Sequence, residues 1–173
     1  NKVVCYGLGS GLSDVRRASA AERNLVVSPA GLKTAEYLKQ TFGTPYEAGV
    51  PFLPESLNRR LPGLTGKRVL VIHQQVLANA ARSRILACAD ADVTVATWFQ
   101  LKDEWKREGD FRLTGERRFA QAVKDGGYDV VIGDVLLKRA LGEYRGAFLD
   151  FPHFAVSGRF EAEKKAAWKE GVG

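Results

Sequence analysis

Two histidines, His73 and His153, are the whole imidazole complement of this 173-residue chain, and each stands just past an apolar run that reads as a strand. Imidazoles leaving strands at a common edge suit an acid-base pair, or the start of a metal site that needs carboxylate or thiolate help. Asp134 and Asp150 are the nearest carboxylates in that pattern, although Asp150 lies inside a strand, which can turn it away. The plainer use of both histidines is partial burial with a hydrogen bond to backbone. The two thiols, Cys5 and Cys88, are far apart, sit in apolar settings and form no Cys-x-x-Cys pattern. Cys5 reads as a small core residue, with a redox or ligand role as the alternative.

A second chemical feature is the glycine turn Gly7, Leu8, Gly9, Ser10, Gly11, which follows a short apolar strand, Lys2 to Tyr6. Ser13 and Asp14 then supply a cap for a short helix over Val15 to Ala20. Strand, glycine turn and helix start are the order of a phosphate-binding turn, in which backbone amides face an anion. The dinucleotide fingerprint is incomplete, since Leu12 stands at the third glycine position and no acidic residue ends the next strand, Asn24 to Ser28. A tight loop at the carboxyl end of a strand is the simpler account of Gly9 and Ser10.

The element that positions the histidines is the stretch Gly66 to Thr97. Val69 to Ile72 is a continuous apolar strand. Val76, Leu77, Ala80, Ala81, Ile85 and Cys88 follow at helical spacing, and Val93 to Ala96 is a second strand. A strand apolar at every position is covered on both faces, which places it inside a parallel sheet with helices above and below. The turn His73-Gln74-Gln75 has no glycine, and Asp90 and Asp92 precede the second strand instead of ending it, so nicotinamide or flavin is not expected here.

The alternation continues downstream. A helix is expected around Leu101 to Arg107, with Phe99, Trp105 and Phe111 packed on the sheet or left as exposed anchors. Glu116 to Lys124 reads as a helix with Phe119, Ala122 and Val123 inward, stopped by Gly126-Gly127. Tyr128 to Gly133 is a strand, Val135 to Leu141 a short helix, Ala147 to Phe151 a strand, and Glu161 to Glu170 a final helix with one side to bury. The expected fold class is α/β, a Rossmann-like α/β/α sandwich whose parallel four-stranded sheet runs in the order 2-1-3-4. Upstream, Pro29 opens a helix with Leu32, Ala35, Leu38 and Phe42 on one face, and Gly43 stops it before a third short strand, Thr44 to Ala48. Residues 1–50 therefore read as the tail of a preceding similar unit, residues 51–65 as a linker with a helical turn or two around Glu55 to Leu61, and residues 66–173 as the terminal unit.

Composition narrows the classes. The 26 Lys and Arg against 20 Asp and Glu give +6, but the cations come in scattered pairs such as Arg59-Arg60 and Lys138-Arg139, without interleaved aromatics. That pattern is a solvated surface, and nucleic acid is not expected as a partner. No apolar run approaches the ~20 residues that span a bilayer, no signal peptide opens the chain, and unpaired cysteines suit a reduced cytoplasmic setting. The chain starts at Asn and has no Met, so a piece of something longer is expected.

The order of segments resembles a known family. NLVVSPAGLKTAEYLKQTFGTPY, then GVPF, then GKRVLVIHQQVLANA, then YDVVIGD with a short helix and AFLDFPHFAVSGRF, resembles the C-terminal half of nitrogenase component 1 type oxidoreductases. These include the α and β subunits of the molybdenum-iron protein and relatives in cofactor assembly and chlorophyll-precursor reduction. The resemblance implies three Rossmann-like units per subunit, of which this piece holds the tail of the middle one and all of the last. It implies a paired homologous subunit and an ATP-dependent iron-sulfur reductase as partners, and an iron-sulfur or other metallocluster in the full-length parent. The cluster cysteines of the first unit fall outside this piece. Where the molybdenum-iron α subunit has its single cofactor-binding Cys, this chain has Ser28; the position of the cofactor-binding His falls on Pro152, with His153 one residue later. A hydroxyl is a poor iron ligand beside thiolate, and proline has no ligating side chain, so no cofactor or metal is expected on this piece, with a shifted ligation by His153 as the alternative. The resemblance makes Gly9, Ser10, Ser28, Asp134 and His153 the cleft-lining candidates of a reductase subunit whose isolated fragment is inactive. A scaffold or carrier for a metallocluster or tetrapyrrole precursor, and an unrelated α/β ligand-binding domain, remain as alternatives.

Overall fold

The computed structural model describes Val3, Cys5 and residues 11–157. The glycine turn with Gly9 and Ser10, and the helix expected over Glu161 to Glu170, lie outside the described residues, as does all of the Lys2 to Tyr6 strand except Val3 and Cys5.

Helix α1 (Leu12–Arg16) and a 3-10 turn (Ala18–Ala20) lead into strand β1 (Asn24–Val26), helix α2 (Leu32–Phe42) and strand β2 (Tyr46–Ala48). The cap of α1 is Gly11, one turn earlier than the expected Ser13-Asp14 start. β1 and β2 pair in parallel, and α2 covers them with Leu32, Ala35 and Leu38. Phe42, expected on that face, is 51% exposed, because the helix ends there and Gly43 reverses the chain with a φ of 74°.

Leu53, then helix α3 (Glu55–Asn58) with Leu57 and a 3-10 turn (Leu61–Leu64) with Leu61 and Leu64, enter the core before strand β3 (Arg68–Ile72). Helix α4 (Gln75–Cys88), strand β4 (Asp92–Thr97), the two-residue strand β5 (Phe111–Arg112), helix α5 (Glu116–Gly126), strand β6 (Val130–Gly133), a 3-10 helix (Val135–Leu141), strand β7 (Ala147–Asp150) and the short helix α6 (Phe154–Ser157) complete the chain.

The main sheet is parallel throughout, in the order β5-β4-β3-β6-β7. The expected order 2-1-3-4 is present within it as β4-β3-β6-β7. The fifth strand escaped the sequence because two residues carry no periodicity; β5 extends the sheet only through Ala96 with Phe111 and Thr97 with Arg112.

Side-chain alternation along β3 divides the core into two layers. Val69 and Val71 join Val95, Ile132, Leu149 and Phe151 beneath α4 and the 53–64 leucines. Leu70 and Ile72 join Ala96, Val131, Phe119 and Val123 beneath α5. Removing such fully covered side chains from water contributes ~1.5–3 kcal/mol each, so the central strands hold the molecule together. Gly127, with a φ of 58°, closes α5 where the glycine pair predicted a stop.

Three inward expectations differ. Cys88 and Cys5 are exposed, and Ala122 is only half-buried. Helix α4 also buries Gln75 and Arg82, two polar residues.

Candidate functional site

In an open parallel sheet the strand ends at the carboxyl edge are where a crevice forms. Here the adjacent carboxyl ends of β3, β6 and β7 carry His73, Asp134 and His153 into one cluster. Four rings stand in file: Phe151 to His73 at 4.3 Å between centroids, His73 to His153 at 4.3 Å, and His153 to Phe99 at 4.9 Å, the last pair stacked at 10°.

Hydrogen bonds fix the state of both imidazoles. The Gln74 amide donates to His73 Nδ1 at 2.9 Å, so Nδ1 carries the lone pair and Nε2–H donates to the Pro152 carbonyl at 3.1 Å. The Ala155 amide donates to His153 Nδ1 at 3.1 Å. In each neutral ring the lone pair that would take a proton or a metal already accepts a backbone amide. Burial, with His153 alongside, pushes the His73 pKa down to about 4, against the opposing influence of the Pro152 carbonyl and Asp134. Burial also lowers His153, with Asp134 opposing it. The pair is therefore neutral at pH 7, and the acid-base and metal readings give way to the plainer one, burial with hydrogen bonds to backbone.

Asp134 is buried, and its carboxylate ties two elements together. Oδ1 accepts the Leu136 amide at 3.0 Å, capping the 135–141 turn, and Oδ2 accepts the His153 amide at 2.9 Å. Asp150, turned outward as its strand position allows, accepts the Val135 amide at 2.9 Å. Gly133 lets β6 approach closely, since a Cβ there would meet the Ile72 carbonyl at 3.3 Å.

Ser28 lies two residues past β1 of the smaller sheet. Its Oγ accepts the Ala30 amide at 3.4 Å and caps the 3-10 turn Pro29–Gly31. One residue earlier, the Val27 carbonyl accepts from Gln74 Nε2 at 2.7 Å, while Gln74 Oε1 caps α4 through the Val76 amide at 2.9 Å. Gln74 thus brings the carboxyl end of β1 to the carboxyl edge of the main sheet. Of the five cleft-lining candidates, the structure places Asp134 and His153 in direct contact and Ser28 one residue from this bridge; Gly9 and Ser10 lie outside the described residues.

Among the described residues no group of three or more His, Cys, Asp or Glu side chains converges to hold a metal. The donor set at the edge does not fit a cluster: Ser28 and both imidazoles have backbone partners, the Pro152 carbonyl accepts from His73, and the Cys88 thiol donates to the Arg84 carbonyl at the far end of α4.

Sequence reasoning missed a second polar assembly. The expected 101–107 helix is only a 3-10 turn, Asp103–Trp105. The backbone of this segment is held by side chains of α4 instead. Gln75 donates to the Lys102 carbonyl at 2.8 Å and accepts the Lys102 amide at 2.7 Å, and Asn79 donates to the Trp105 carbonyl at 2.9 Å. Arg82, 2% exposed, pairs with Asp110 at 2.7 Å and also donates to Asn79. Asp110 in turn accepts the Val95 and Arg107 amides at 2.9 and 2.8 Å. A signal for this was present: Gln75, Asn79 and Arg82 recur at i, i+4 and i+7, the spacing of one helical face. The aromatics divide among three uses. Phe99 stacks on His153, Phe111 packs at the edge of the core, and Trp105 lines a cleft beside α4.

No family model and no curated protein matches this chain. A solved structure titled "Nitrogenase Cp1 at pH 6.5" superposes with a TM-score of 0.59 over 94% of this chain, at 18% identity. The chain spans about half of that neighbour's length, 46%. At that identity the likeness is one of fold, and this chain has a nitrogenase-like α/β fold.

Proposed function

We propose that this chain is the terminal Rossmann-like unit, with residues 1–50 the tail of the preceding one, of a nitrogenase-like oxidoreductase subunit, and that it forms one wall of a cofactor or substrate cleft. What supports the reading is the carboxyl edge itself. His73, Asp134, His153 and Ser28 stand where such a cleft would open, and their polar atoms brace the backbone around it. A wall of this kind shapes and dries a crevice, while ligating and reacting groups come from elsewhere in the assembly. On this reading the cluster cysteines lie in the parent's first unit, a homologous subunit closes the other side, and an ATP-dependent iron-sulfur reductase delivers electrons in the cytoplasm.

The test is made on this chain and on its parent. Purified anaerobically, this chain is expected to hold no stoichiometric iron and to show no cluster absorption. A bound cluster would overturn the assignment of Ser28 and Pro152 as non-ligating. In the parent subunit, reductant-dependent turnover on adding the reductase supports the enzyme reading. Cluster or tetrapyrrole transfer without turnover supports a scaffold, a reading favoured by the same saturated edge.

A further inference from the structure

Beside α4, away from the histidine cluster, lies an open cleft of about 600 Å³ between the 48–53 segment and the 104–107 segment. This is within the ~300–1,000 Å³ typical of small-molecule sites. Its walls carry Phe52, Arg84, Glu104, Trp105, Lys106 and Arg107. Among the described residues Arg84, Lys106 and Arg107 enter no ion pair, so three cations face the cleft against the single carboxylate of Glu104. Phe52, 63% exposed, stands on the same wall.

The cleft is built. The 102–107 segment has almost no regular structure, yet Gln75, Asn79 and Asp110 fasten its backbone at Lys102, Trp105 and Arg107. Arg82, which lines the cleft and is 2% exposed, has its Nε buried without a partner among the described residues. A buried ion pair with an unpartnered donor is a costly fastening for a loop. A loop fixed in this way presents its cations in one arrangement, which lowers the ordering cost of binding.

We propose that this cleft is a binding site for a nucleotide, a ligand that joins a flat ring to several phosphate charges. Phe52 and Trp105 offer ring faces to the base, and Arg84, Lys106 and Arg107 meet the phosphates. The site is independent of the carboxyl edge and of any chemistry there.

Calorimetric titration of the chain with ATP, adenosine and tripolyphosphate tests it. ATP is expected to saturate one site, with adenosine and tripolyphosphate each weaker by about tenfold or more, since each supplies half of the recognition. Replacing Arg84, Lys106 and Arg107 together by Ala should weaken ATP by a similar factor, and Phe52→Ala should weaken ATP while leaving tripolyphosphate unchanged. Failure of ATP to saturate, tripolyphosphate binding as tightly as ATP, or an unaffected triple variant would each overturn the site. Hydrogen exchange on the unmodified chain guards against misfolded variants. ATP should protect residues 48–53 and 102–107, and protection confined elsewhere counts against the site.

Discussion

The two polar assemblies of this molecule are built from the same materials and end in opposite states. At the carboxyl edge, Asp134 and two imidazoles satisfy one another's backbone, and the histidine rings stay neutral. On the flank of α4, Arg82 and Asp110 form a buried ion pair linked to three backbone amides or carbonyls through their neighbours, while Arg84, Lys106 and Arg107 beside them enter no ion pair among the described residues. Topology nominates the first assembly as a site. Charge nominates the second. A favoured position in a fold plan and an unfilled binding capacity are thus separate properties, and each has to be argued from its own atoms.

The sharpest way to break the comparison is Asp110→Ala. It leaves the Arg82 guanidinium buried without its counter-ion and deprives the Val95 and Arg107 amides of their acceptor. A loss of about 3–5 kcal/mol is expected from urea unfolding. Replacing both partners by apolar residues, Arg82→Met with Asp110→Leu, should recover the part of that loss due to the stranded charge, while the Val95 and Arg107 amides still lack their acceptor. If the single variant were as stable as the parent, the ion pair would not be the fastener of the loop.

Acid separates the two assemblies next. His73 has a pKa of about 4 in the folded chain against an ordinary value of 6.5. Between those values the unfolded chain takes up a proton that the folded chain refuses, so stability is full above pH 6.5 and falls as pH drops toward 4. The difference amounts to about 3 kcal/mol, and the lowered pKa of His153 acts in the same direction. His73→Asn, whose carbonyl oxygen can still accept the Gln74 amide, should remove much of this slope. Unfolding measured across that window checks it; a parent stability level from pH 6.5 to 4 would contradict the buried neutral pair.

Asp134→Ala should cost about 2 kcal/mol, since one buried and one part-buried amide lose their acceptor. Asp134→Asn should cost less, because one oxygen can still cap the Leu136 amide. Hydrogen exchange at Leu136 and His153 would report which of the two bonds fails.

How much of this was legible in the sequence follows from range. The apolar run at Val69 to Ile72 and the run ending at Gly133 announced two buried strands, because a strand covered on both faces leaves no other composition. Their order followed from crossover rules. β5 did not announce itself, being two residues paired to a neighbour's end. The helix expected over 101–107 failed for a related reason. Its backbone bonds go to Gln75, Asn79 and Asp110, partners as much as 27 residues away that no local propensity encodes. The histidines were placed correctly at strand ends, but their neutrality depends on the Gln74 and Ala155 amides and on packing between Phe151 and Phe99, which only the fold brings together.

Ser28 gives the smallest effect and the finest discrimination. Its Oγ accepts the Ala30 amide at 3.4 Å, a long bond on a half-exposed turn, so Ser28→Ala should cost about 0.5 kcal/mol, the low end for a cap. The same substitution should leave the acid sensitivity of His73 unchanged, because the link between β1 and the carboxyl edge runs through the Val27 carbonyl and Gln74, not through the hydroxyl. Gln74→Ala provides the contrast: it removes that link and the α4 cap together, and should cost more than Ser28→Ala in the same urea titration. Were Ser28→Ala the more damaging of the two, the hydroxyl rather than the Gln74 link would be the main brace between β1 and the edge.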